Sequence, residues 1–106
     1  MRRVDTAAGS LELPPKAGLE TQKLFRAFVQ DGRIVALPAK YGRRTQLLDH
    51  VSQLFEPGVQ YPEPAVNAIL LQVYDVQAEL RRLLVDAGFL ARERGIYWRI
   101  GGTVEV

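Results

Sequence analysis

The 106 residues include no cysteine and a single histidine, His50. The first absence excludes disulfide staples, thiolate nucleophiles and thiolate metal sites. Transition-metal sites need several His, Cys or carboxylate ligands at fitting spacing, and one imidazole does not begin such a set. No metal and no cofactor are therefore expected. No apolar run approaches the roughly 20 residues of a membrane-spanning helix. Residues 1–10 carry Arg2 and Arg3 but no apolar segment, so they do not read as a secretory signal. These absences give the expectation of a cytoplasmic protein with no membrane partner.

Signals of enzyme chemistry are also missing. No glycine-rich loop follows a strand and opens a helix; Gly101-Gly102 has no helix after it. Asp49 adjoins His50, but neighbours on a helix point apart, so the pair does not build a catalytic arrangement with Ser10 or Ser52. The carboxylates are scattered along solvent faces rather than paired for acid–base work. The expectation is a protein that is not an enzyme.

What is present is a chain of globular composition, 47% hydrophobic and 25% charged, of a length that makes one domain. Residues 1–18 read as a flexible tail, with Pro14, Pro15 and Gly18 and little periodicity, although Leu11 and Leu13 can dock locally. Glu20 to Gln30 reads as a helix with Leu24, Phe25, Phe28 and Val29 on one stripe, ended by Asp31-Gly32. Ile34 to Leu37 is a short β-rich run stopped by Pro38, an edge strand that can join a later hairpin as its third member.

Arg43 to Phe55 is a second helix, its stripe Leu47, Leu48, Val51, Leu54 and Phe55, with Thr45, Asp49, Ser52 and Gln53 left to water. His50 lies at the stripe's edge. A third helix begins near Pro62 or Glu63 and runs to Val73, burying Val66, Ile69, Leu70 and Val73. Asp75 is placed to cap a fourth, Val76 to Ala87, with core face Val76, Leu80, Leu83, Leu84 and Ala87, and Gly88 just past its end. Phe89–Arg92 and Ile96–Ile100 form a hairpin. In it Tyr97 and Trp98 point to opposite faces, and Trp98 is the expected core anchor, with Ile96 and Ile100 on its face. Tyr61 is expected to pack back on the third helix.

The order predicts an α+β fold, a winged helix-turn-helix over residues 19–101. An extra N-terminal helix and a short edge strand precede it, and a loose end at 102–106 follows.

Net charge is only +2, yet 11 of the 14 cations are arginine, whose planar fork suits phosphates and guanine edges. Arg33, Lys40, Arg43 and Arg44 fall in a stretch free of Asp and Glu. On the fourth helix, Ala78, Arg81, Arg82 and Val85 face outward, with Gln77 near its start. Arg92, Arg94 and Arg99 lie on the hairpin. As a recognition helix and wing, these residues would meet duplex DNA. As a plain surface, they would be a solvated face paired with Glu79, Asp86 and Glu93.

Phe28, Asp31-Gly32-Arg33 and Leu37-Pro38 stand together with Tyr61-Pro62-Glu63, Val66-Asn67 and Leu70. So do Asp75, Leu80-Arg81-Arg82, Leu84-Val85, Gly88, Leu90, Arg92 and Tyr97-Trp98-Arg99. Over roughly residues 24–99 this pattern resembles an uncharacterised bacterial domain family. That family occurs alone and at the C-terminus of MerR- or ArsR-type transcriptional regulators. Pro62 departs from the family's Ser or Thr, and Val73-Tyr74 from a more polar stretch. The resemblance implies a winged-helix-like, nucleic-acid-binding domain and lends no mechanism.

Two readings stand. One is a duplex-DNA-binding domain of a transcriptional regulator, using Arg43, Arg44, Gln77, Arg81, Arg82, Arg92 and Arg94, with Asp75 and Trp98 structural. The other is a protein-interaction or dimerisation module on the same fold, joining a second copy or a regulatory partner protein. The outward, apolar Val85 suits the second.

Overall fold

Residues 9–104 are described by the computed structural model. Part of the expected tail, residues 1–8, lies outside them, as do residues 105–106 of the expected loose end. The elements are α1 (Leu19–Phe28), β1 (Val29–Gln30), β2 (Arg33–Ile34), α2 (Tyr41–Ser52), β3 (Gln60–Pro62), α3 (Glu63–Leu71), α4 (Gln77–Asp86), β4 (Leu90–Glu93) and β5 (Ile96–Arg99). The described chain is thus an α+β domain of four helices and two antiparallel sheets.

The turn residues place the strands. Asp31-Gly32 and Arg94-Gly95 each carry two successive positive φ angles, 55° and 80° in the first pair and 54° and 80° in the second. Two such residues make the mirror-image turn whose twist matches a hairpin, and glycine adopts its second position without a Cβ clash. β1 accordingly pairs with β2, and β4 with β5. Arg33-Ile34 therefore belongs to a separate small sheet and does not join the C-terminal hairpin. The third strand of that sheet is β3, giving the order β3-β5-β4. Hydropathy alone hides β3, because Gln60 and Pro62 are exposed and the strand is very short.

One contiguous core joins every helix. Leu24 and Phe25 of α1, Leu47, Leu48 and Val51 of α2, Val66 and Leu70 of α3, and Leu80 and Leu84 of α4 are buried together with Leu11, Ile34, Phe55, Phe89 and Leu90. The predicted stripes thus face the core, with Phe28, Val29, Leu54, Ile69, Leu83 and Ala87 only partly buried against it, and with three corrections. Ser52 is buried rather than solvated, because its hydroxyl donates to the Asp49 carbonyl at 2.6 Å and needs no water. Val76 is 51% exposed, because it occupies the cap position ahead of α4 rather than its first turn. Tyr97, 1% exposed, is the core residue of the hairpin, and Trp98 is only half-buried.

Tyr97 enters the core for a chemical reason. A buried Tyr needs a partner for its hydroxyl, and Tyr97 Oη donates to Glu63 Oε1 at 2.9 Å. Trp98 pairs across the sheet with Gln60 and Ala91 on the other face. Tyr61, opposite Tyr97, also reaches the segment that follows α2: its ring lies 5.2 Å from Phe55 and its hydroxyl accepts the Glu56 N–H at 2.8 Å.

The termini of α4 differ from expectation at one end only. At its C-terminus Gly88 has φ 83°, the Phe89 N–H reaches the Leu84 carbonyl at 2.9 Å, and the Gly88 N–H reaches Val85 at 3.1 Å. This is the left-handed glycine ending that the sequence predicts. At the N-terminus Val76, not Asp75, is the cap residue, and no side chain caps the helix. Asp75 stands one residue too early for the first free amides, and its carboxylate is engaged by Arg33 instead.

Candidate nucleic-acid interface

α3 and α4 are joined by a short turn, residues 72–76, which is held from outside. Arg33 Nη1 donates to the carbonyls of Leu71 and Gln72, each at 2.9 Å, and its other terminal nitrogen pairs with Asp75. The Ile34 N–H also donates to the Val73 carbonyl at 2.7 Å. The last carbonyls of a helix lack intrahelical partners, and a guanidinium at that end satisfies them and complements the helix dipole. Arg33 thereby fixes the direction in which α4 leaves α3.

α4 presents Ala78, Arg81, Arg82 and Val85 to a cleft of about 290 Å³, whose other wall carries Arg92 and Tyr97. The predicted cations Arg81, Arg82 and Arg92 are therefore brought together by the packing of α4 beside β4. Asp86 also lines the cleft.

The three arginines are not equivalent. Arg81 is 19% exposed, donates to Asn67 Oδ1 and lies 3.9 Å from Glu63 Oε2. Glu63 also receives the Tyr97 hydroxyl, and that hydroxyl accepts from Arg92 Nη1 at 3.4 Å. A chain of polar contacts thus runs from Arg92 through Tyr97 and Glu63 to Arg81. The hydrogen bond to Tyr97 favours the charged form of Arg92. Among the described residues, Arg82 has no hydrogen-bond or ion-pair partner, and it is exposed.

The remaining predicted residues lie elsewhere. The Arg43 guanidinium sits 5.3 Å above the Phe28 ring, a cation–π contact that ties α2 to α1. Arg44 is half-buried at the start of α2, and Gln77 is half-buried in the first turn of α4. Neither lines the cleft. Arg94 is exposed in the β4–β5 turn. Arg99 is structural: it donates to the carbonyls of Gly101 at 2.9 Å and Phe55 at 3.0 Å, and to that of Thr103. Thr103 in turn donates to both Asp49 oxygens, at 2.7 and 2.8 Å, so this part of the C-terminal stretch is tied to α2.

Glu63, Asn67 and Tyr97 were not singled out as site residues from sequence. The available signal was the spacing of Glu63 and Asn67, four apart on one helix face. Tyr97 enters only through the pairing of β3 with β5, which sequence spacing does not reveal.

His50 packs edge-on to Phe25, with ring centroids 5.0 Å apart. Burial pushes its pKa below 6.5, partly opposed by Asp49. It lies in the α1–α2 core boundary, away from the cleft. Among the described residues, no cluster of three or more His, Cys, Asp or Glu is placed to hold a metal, and no helix is long and apolar enough to cross a membrane.

The family model of an uncharacterised protein conserved in bacteria (DUF2087) matches residues 33–99. That span opens at Arg33 and closes at Arg99, and so includes the clamp on the turn, both walls of the cleft and the three-stranded sheet. No curated protein and no solved structure matches the chain.

Proposed function

The chain belongs to this uncharacterised family conserved in bacteria, and from that premise we propose that it is a duplex-DNA-binding domain of the winged helix-turn-helix class, acting in a transcriptional regulator. The observation that carries the reading is the outward stripe of α4. Behind a short turn, Ala78, Arg81, Arg82 and Val85 stand beside an arginine of the adjoining hairpin. A helix so held lays its outer face in a major groove, while the hairpin reaches the neighbouring backbone. The order helix, strand, helix, helix, strand, strand from α2 onward, with the first strand beside the last, supports the winged class.

Fluorescence anisotropy against a random-sequence duplex, at several salt concentrations, tests the proposal. With about four arginines neutralising phosphates, the log–log slope is expected near −3.6, and affinity falls on the order of 100-fold between about 50 and 200 mM salt. A folded protein that binds no duplex at the lower salt overturns the reading.

One observation favours a second reading, a protein-interaction module. Ile34, Val35 and Val76 line a shallow groove of about 510 Å³ along the α3–α4 turn, and Val35 and Val76 are exposed. Concentration-dependent sedimentation that Val35→Ser and Val76→Ser abolish would support it.

A further inference from the structure

The charges around the α4–β4 cleft do not balance within it. Arg81 is compensated by Glu63 and anchored by Asn67. Arg82 and Arg92 have no carboxylate within ion-pair distance among the described residues, although Asp86 shares the cleft. Three guanidinium groups against Asp86 and Glu63 leave an excess of one positive charge. The cations come from two elements that fold against each other, so the packing brings together groups that repel. An anion between them removes that repulsion, and the guanidinium fork matches phosphate oxygens.

Arg92 is also aimed. Its hydrogen bond to the Tyr97 hydroxyl, itself fixed by donation to Glu63, holds the guanidinium against the cleft. Arg82 stands on the opposite wall.

We propose that the cleft between α4 and β4 is a phosphate site, in which Arg82 and Arg92 grip one phosphate group from opposite walls and Arg81 is a positioning residue locked by Glu63 and Asn67. On duplex DNA the phosphate is a backbone diester, and this half of the proposal rests on the reading above. One sugar–phosphate strand separates a major groove from the adjoining minor groove. With α4 in the first and the hairpin at the second, that strand crosses the cleft. Arg82 then contacts backbone rather than a base edge, and it contributes affinity without sequence preference.

The test uses the full chain and four proteins: wild type, Arg82→Gln, Arg92→Gln, and Arg26→Gln, an exposed position on α1, as a control from outside the cleft. Each must first show wild-type thermal unfolding. Inorganic phosphate is titrated at low ionic strength while the arginine Nε–H resonances are followed by NMR. Saturable shifts at Arg82 and Arg92 are expected, with phosphate binding weakened about fivefold in each cleft variant and unchanged in Arg26→Gln.

On duplex DNA, each cleft variant is expected to flatten the log–log salt slope by about 0.9 and leave sequence preference unchanged. Phosphate binding with no duplex binding would uphold a site for free phosphate while overturning the DNA reading. Duplex binding whose slope ignores both cleft variants, or phosphate shifts that Arg26→Gln reduces as much as they do, would overturn the phosphate site and leave the DNA reading standing. A sequence preference that relaxes in Arg82→Gln would overturn the assignment of Arg82 to the backbone.

Discussion

Tyr97 shows how one hydroxyl decides which of two adjacent aromatic residues enters a core. Period-two alternation requires Tyr97 and Trp98 to face opposite ways, and hydrophobicity favours Trp98 inward. The inward face, however, offers the Glu63 carboxylate to a phenol. Tyr97→Ala is expected to cost about 3–5 kcal/mol, the range for truncating a large buried aromatic. Trp98→Ala, half-buried, should cost markedly less in the same urea titration. Equal losses would mean that Trp98 carries as much of the hairpin as Tyr97. His50 makes a second prediction at this scale. Burial lowers its folded pKa below the unfolded 6.5, so the folded state binds the proton less well than the unfolded chain. Its penalty is absent well above pH 6.5 and grows as pH falls through that value toward the folded pKa, so stability drops on acidification. His50→Gln should flatten the midpoint-versus-pH curve between about pH 7.5 and 5, which chemical denaturation at several pH values can check.

Among the elements, the α3–α4 turn is held by an arginine distant in sequence. Arg33 satisfies two helix-end carbonyls and Asp75 at once. Arg33→Ala should therefore cost about 1–2 kcal/mol, since two charge-assisted hydrogen bonds are lost at a partly exposed site. Asp75→Ala should cost about 0–1 kcal/mol, as expected of an exposed ion pair rather than a lost helix cap. Thermal unfolding of the two variants separates these roles: equal losses would mean that Asp75 does more than pair with Arg33. Arg33→Lys should rescue poorly, because an ammonium cannot span three acceptors as a planar fork does.

For the whole molecule, the family match and the physical domain do not coincide. The match begins at residue 33, yet Leu11, Leu24 and Phe25 are buried in the same core as the matched helices. Removing them would uncover Ile34 and the facing side of α2. At about 1.5–3 kcal/mol for each large side chain, an upper estimate, the loss is about 5–9 kcal/mol. That rivals the whole stability of a domain this size. A fragment of residues 33–106 is therefore expected to lack a cooperative thermal transition by circular dichroism, whereas the full chain shows one. A fragment that unfolds cooperatively near the full chain's midpoint would make α1 an accessory element.

The sequence by itself determined the helices, the faces they turn to the core, the Asp31-Gly32 turn, the Gly88 ending of α4 and the outward set Ala78, Arg81, Arg82 and Val85. Each follows from periodicity or from a backbone angle that particular residues favour, and both act within a few residues. Only the tertiary structure decided the rest. The Gln60–Pro62 strand has no local pattern and exists because β5 offers it an edge. Its register sets Tyr97 against Glu63, and through Glu63 separates Arg81, which is held, from Arg82, which is open. Asp75 carries every local mark of a cap, yet its carboxylate goes to Arg33, 42 residues away along the chain. A side chain's charge and helical phase are local properties, but its partner is whatever the packed chain brings within reach.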